Sequence, residues 1–152
     1  MDSQNNNEEP KLFTFTVPGK PQGKARARTF YNSKSGKMSS VTPEKTVLYE
    51  NLIKTCFQQK YGQKRFSDDA YVAANILAFF EPPKSISKKK REEMLTGKIW
   101  PAKKPDSDNI AKVVLDALNG IAYHDDTQII KLVVTKAYSE EAHLSVTLAK
   151  LK

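Results

Sequence analysis

Phe13, Phe15 and Val17 alternate with threonines, the period-two signature of a half-buried strand, and Pro18-Gly19 closes it. Residues 31–40 read as loop. Thr42-Pro43 then supplies a cap with proline at the first helical position, opening a helix that runs towards Tyr61-Gly62 with an apolar stripe of Leu48, Leu52, Ile53, Cys56 and Phe57. Residues 71–80 are almost wholly apolar, as befits a central strand covered on both faces, and Glu81-Pro82-Pro83 stops them. Ser87 opens a short basic helix ending near Gly97. Ile110, Val113, Val114, Ala117 and Leu118 stripe a helix over 109–119, with Asp108 as its N-cap and Gly120 as its stop. Residues 129–138 and 143–151 read as two strands around Ser-Glu-Glu-Ala, an antiparallel hairpin closing the sheet. The order is strand, helix, strand, insertion, helix, strand, strand, without internal repeat. It predicts an α+β domain with a mixed or mostly antiparallel sheet.

Length and composition bound what such a domain can be. The 152 residues suffice for one core without disulfides or a structural metal, and the one cysteine, Cys56, suits a reducing cytoplasm. Residues 1–10 are polar and acidic, with neither the basic nor the apolar region of a signal peptide, and predict a disordered tail before a single domain over 11–152. No apolar run reaches membrane-spanning length, so no membrane is expected.

The net charge of +8 is unevenly spread. Segments 20–45 and 84–104 contribute +6 each, leaving the remainder at −4. Within the first, Lys24, Arg26 and Arg28 occupy every second position, so an extended chain projects all three to one side as a phosphate-gripping edge. Basic flanks around an acidic centre suit an enzyme of nucleic acid, in which cations replace the counterions of the backbone while carboxylates hold a metal at one phosphate.

That acidic centre is Pro105-Asp-Ser-Asp-Asn-Ile-Ala-Lys112, followed after a short helix by His124-Asp-Asp126. Carboxylate oxygens are the hard donors preferred by Mg²⁺ and Mn²⁺, and a lysine beside them suits a phosphoryl oxygen. With residues 104–108 extended, Asp106 and Asp108 point the same way and share one ion. The residues after the helix can span ~20 Å, enough for Asp126 to return to them. Each residue also has a plainer role: Asp108 as a cap, Asp116 as a solvated partner of Lys112, Asp125 and Asp126 as a polar turn. His124, His143 and Cys56 lack partners at ligand spacing. Tyr31 and Trp100 lie near basic residues where they could stack on exposed bases, Trp100 serving equally well as core.

The run Lys-Pro-Asp-Ser-Asp-Asn-Ile-Ala-Lys-Val-Val-Leu-Asp-Ala-Leu-Asn-Gly-Ile, with His-Asp-Asp-Thr-Gln-Ile-Ile after it, closely resembles the signature of the RusA-type Holliday junction resolvases of bacteria and their phages. Val-Pro-Gly-Lys-Pro and Arg-Ala-Arg near the amino end extend the likeness. The resemblance implies a two-layer α/β homodimer that resolves four-way DNA junctions by paired, Mg²⁺-dependent hydrolysis (Mn²⁺ substituting) in recombination and repair. By the same resemblance Asp106, Asp108 and Asp126 are the metal ligands, Lys112 is the catalytic lysine, and Asp125 matches a commonly acidic neighbour. It further implies a cytoplasmic, nucleoid-associated protein without a small-molecule cofactor. The acidic tail and the basic stretch 85–100 depart from the compact family pattern. A general branched-DNA nuclease and a non-catalytic DNA-binding module are the rival readings, and a metal enzyme of nucleotides would not need the basic flanks.

Overall fold

The computed structural model describes residues 8–152. Its main sheet has strands β1 (Leu12–Pro18), β4 (Val72–Phe80), β5 (Ile129–Tyr138) and β6 (His143–Lys150) in the order β1-β6-β4-β5. Strands β2 (Arg28–Asn32) and β3 (Lys37–Val41) form a separate two-stranded ribbon, and α1 (Glu44–Tyr61), α2 (Lys88–Leu95) and α3 (Ser107–Leu118) complete the chain. The architecture is α+β, with a mixed sheet.

The core lies between α1, α3 and one face of the sheet. Phe13, Phe15 and Val17 of β1, Val72, Ala74, Ile76, Ala78 and Phe80 of β4, and Leu144, Val146 and Leu148 of β6 all point into it. The alternation of β1 therefore holds residue by residue. Phe13 is the centre of an aromatic cluster, with ring centroids 5.1 Å from Phe57, 4.7 Å from Tyr61 and 4.7 Å from Phe66. The Tyr61 hydroxyl, which accepts from Thr14 N at 2.8 Å and donates to Thr14 O at 2.9 Å, ties α1 to β1.

Several sequence expectations need correction, among them the cover of residues 71–80, of which only one face is buried while Asn75 on the other is exposed. The 129–138 and 143–151 strands exist but do not pair: β4 lies between them, parallel to β5 and antiparallel to β6. The most apolar strand takes two neighbours, and the segment 139–142 passes over its end, a gap of ~10 Å. The buried face of α1 carries Thr46, Tyr49, Ile53 and Phe57, whereas Leu48 and Leu52 are exposed. The two stripes lie on adjacent helix faces, and apolarity alone does not choose between them. Segment 31–40 is no irregular loop but most of the β2-β3 ribbon. Trp100, 57% exposed, is not core.

Residues 1–7 of the acidic tail lie outside the described residues, while Glu9 is held by Lys150 at 2.6 Å and by the Ser67 hydroxyl. At the basic insertion, Ser87 Oγ accepts from Lys90 N at 3.3 Å as the cap of α2, as its sequence predicts. No helix among the described residues is long and apolar enough to cross a membrane.

Candidate active site

Helix α3 organises the site. Its stripe of Ile110, Val113, Val114, Ala117 and Leu118 is buried, which turns Asp108 and Lys112 outward on the opposite side. The helix begins earlier than its sequence suggests, at Ser107, so Asp106 rather than Asp108 takes the N-cap position, and the chain is not extended through 108. The Asp106 side chain makes no cap hydrogen bond, and Asp108 sits in the first turn. Two exposed carboxylates thus stand at the positive end of the helix dipole, and among the described residues neither is in an ion pair. Gly120, with φ of +73°, supplies the expected stop just beyond the helix.

Against this helix start lies the segment 20–28. Lys24 N donates to Asn109 O at 2.8 Å, and Gly23 approaches so closely that a Cβ there would lie 2.9 Å from Asn109 Cβ and 3.0 Å from Pro105 Cβ. Only glycine permits that contact. Between them opens a cleft of about 760 Å³ whose wall includes Asp106, Asn109 and the cations Lys20, Arg28, Lys45 and Lys104. None of these four cations is ion-paired among the described residues. Sequence reasoning recognised the +6 of segment 20–45 but not the convergence of Lys20, Lys45 and Lys104 beside Asp106.

The row of Lys24, Arg26 and Arg28 divides. Arg26 and Arg28 are exposed. Lys24 turns inward, bonded to Glu50 of α1 and 3.4 Å from Asp116 of α3. Burial alone would lower its pKa, but the two carboxylates outweigh that and hold it above the ordinary lysine value. Lys24 is a strut between two helices, its charge already matched. Asp116, expected to pair with Lys112, pairs with Lys24 instead, and Lys112 has no ion-pair partner among the described residues.

Asp126 does not return to Asp106 and Asp108. The turn after α3 is short and fully bonded. Ile121 N and Ala122 N donate to Leu118 O, the Tyr123 hydroxyl donates to Leu115 O at 2.6 Å, and Asp126 N donates to Asn119 Oδ1 at 3.1 Å. Buried Gln128 fixes the rest: its Oε1 accepts from His124 N and Asp125 N, and its Nε2 donates to Ser67 O and Ala70 O. Nothing in the sequence singles out Gln128 for that role except its place behind the aspartates. Asp126 consequently lies beside Asp116, near the far end of α3. Burial, a hydrogen bond with Asp125 and the charges of Asp125 and Asp116 raise its carboxyl pKa, while hydrogen bonds from Asp126 and Thr127 hold Asp125 low. Asp108 and Asp116 are about two turns apart on the helix, ~12 Å along the axis.

The donor set sorts accordingly. Asp106 and Asp108 present uncommitted hard oxygens beside a cationic cleft, and Mg²⁺ is commonly held by one or two carboxylates with water and a substrate phosphate completing its shell. Their hard oxygens suit such an ion chemically, although the helix start at Ser107 removes the extended spacing that would aim both side chains the same way. Among the described residues no three acids, histidines or cysteines are gathered to hold a metal, so the set Asp106, Asp108 and Asp126 is not assembled within one protomer.

The sequence model of the family Endodeoxyribonuclease RusA matches residues 18–149. The chain belongs to the RusA family. A relative within reach of simple alignment is the uncharacterized protein YqaN of Bacillus subtilis (strain 168), 33% identical over 139 residues that cover 90% of this chain and 95% of that protein. RusA-family membership makes the chain a nuclease of DNA, and the matched span includes the cleft, α3 and the Asp125-Asp126 turn.

Proposed function

We propose that this RusA-family chain resolves four-way DNA junctions as a homodimer, by paired, metal-dependent hydrolysis of phosphodiester bonds in the cytoplasm, in the service of recombination and repair. The observation that carries the reading is the cleft that sets Asp106 beside Lys20, Arg28, Lys45 and Lys104. Unpaired cations around a carboxylate make a seat for a phosphate backbone with a metal ligand at its edge.

In this reading Asp106 and Asp108 hold Mg²⁺, or Mn²⁺ in its place. Bound there, the ion would supply positive charge against the phosphate in the transition state and would make water a better nucleophile. The chain's own groups do the rest. Lys112, one turn along α3 from Asp108, brings its ammonium to the oxygens that gain charge during transfer. The α3 N-terminus adds its partial positive charge, favouring an approaching phosphate. Arg26 and Arg28 hold the backbone on either side of the bond to be cut. Asp126, held near the far end of α3, would reach the same ion from a second protomer. Two-fold symmetry then presents two equivalent sites to two strands of like polarity.

Cleavage of an end-labelled four-way junction beside a linear duplex of the same sequence, in Mg²⁺ and in EDTA, tests the reading. Paired symmetric nicks confined to the junction and lost in EDTA are expected. Equal cutting of the duplex would make the chain a general nuclease, and binding without cutting would make it a DNA-binding module.

A further inference from the structure

The β2-β3 ribbon is the least explained part of the molecule. It joins no strand of the main sheet and packs substantially on no helix. Two five-residue strands seldom hold a ribbon in water on their own. Yet it displays Phe30 at 46%, Tyr31 at 65%, Met38 at 67% and Val41 at 51% exposure. Pairing sets Tyr31 opposite Met38 on one face and Arg28 opposite Val41 on the other, next to Phe30. Each face therefore carries exposed apolar side chains among polar ones.

The charge around these side chains narrows the partner. Residues 20–43 hold six cations and no acid. The tip is fixed: Asn32 Oδ1 accepts from Lys34 N at 2.9 Å, and Gly36 N, at a φ of +66°, donates to Asn32 O at 2.9 Å. It presents Lys34 and Lys37 at the end of a ribbon ~17 Å long. A second copy of so basic a segment would be repelled, whereas a polyanion is attracted. An aromatic face on a polyanion binder finds its best partner in a base, and bases expose their faces only where the duplex is interrupted. The root of the ribbon, Arg28, lines the same cleft as Asp106, so a strand seated there leads directly to the ribbon.

We propose that the Arg28–Asn32 and Lys37–Val41 ribbon is a branch-point wedge, in which the Tyr31 ring, backed across the strands by Met38, stacks on a base exposed where DNA duplexes meet. This rests on the reading of the chain as a DNA enzyme and adds to it the source of its preference for branched substrates.

The test is binding by fluorescence anisotropy to a four-way junction and to a linear duplex, both in EDTA, for wild type, Tyr31→Ala and Tyr31→Phe. Stacking of one base predicts that Tyr31→Ala weakens junction binding by about 5- to 100-fold and duplex binding by less than about 2-fold, while Tyr31→Phe keeps the wild-type ratio. Thermal midpoints matched to wild type show that the fold is intact, as expected for so exposed a residue. Equal weakening on both DNAs, or none on either, overturns the wedge. A change in the DNA-free mass of Tyr31→Ala also overturns it, because the ribbon would then be a subunit contact. A wild type that never cuts DNA would count against the nuclease reading, while the junction-to-duplex ratio would still decide the wedge.

Discussion

Lys24 separates two accounts of the basic segment, one in which every cation grips DNA and one in which some hold the protein together. Its ammonium lies between Glu50 and Asp116, with side chains 20%, 16% and 32% exposed respectively. Solvated ion pairs contribute about 0–1 kcal/mol, while breaking a fully buried pair costs about 3–5 kcal/mol. Partial burial and two stranded carboxylates place Lys24→Met between these limits, at about 2 kcal/mol. For a domain of this size that corresponds to a fall in Tm of roughly 4–8 °C. Because the Lys24 pKa is raised, its contribution is complete below the ordinary lysine pKa and fades as pH rises above it. Thermal unfolding at neutral pH measures the first effect, and the dependence of the DNA dissociation constant on salt measures the other. Lys24→Met should leave the salt slope unchanged, whereas Arg26→Ala or Arg28→Ala should each reduce it by about 0.9. A Lys24→Met protein of wild-type stability with a reduced salt slope would refute the strut.

Further outcomes follow from the site's packing. Gly23→Ala puts a methyl into space held by Asn109 and Pro105, and should cost about 1–3 kcal/mol in urea unfolding and slow cleavage by displacing Asp106. Gln128→Leu strands two carbonyls and two N–H groups around Asp126, and should cost about 3 kcal/mol while loosening that aspartate, seen as lost amide protection at His124 and Asp125. Phe13→Ala empties the centre of the aromatic cluster and should cost about 3–5 kcal/mol in urea unfolding. If Asp126 serves the ion of a second protomer, co-expressed Asp108→Asn and Asp126→Asn chains should regain cleavage at one of the two sites of a mixed dimer; nicking no greater than either mutant alone would place both residues in the same protomer's site.

What was legible in the sequence was what local periodicity controls. The stripe of α3, the alternation of β1, the apolar β4 and the Ser87 cap all depend on neighbours a few residues apart, and each stands where expected. Partnerships over long separations were not legible. Glu50 and Asp116 reach Lys24 across 26 and 92 positions, and no pattern in segment 20–28 distinguishes a paired lysine from the free arginines beside it. Among the described residues Asp126 is not gathered with Asp106 and Asp108, and the hydrogen bonds of Asn119, Tyr123 and Gln128 that hold its turn are not foreseeable from chain length. The β2-β3 ribbon was missed since its apolar residues are uncovered on both faces and so do not alternate. Its turn, Asn32-Ser-Lys-Ser-Gly36 between Thr-Phe-Tyr and Met-Ser-Ser-Val, was the available signal.

The most direct test of the central claim compares wild type with Asp108→Asn on one labelled four-way junction, scoring binding in EDTA and cleavage in Mg²⁺. In the proposed reading Asp108 serves the metal and little else, so Asp108→Asn should bind as tightly as wild type and make no cut. Cleavage by Asp108→Asn at the wild-type rate would contradict it, removing the head of α3 from the chemistry.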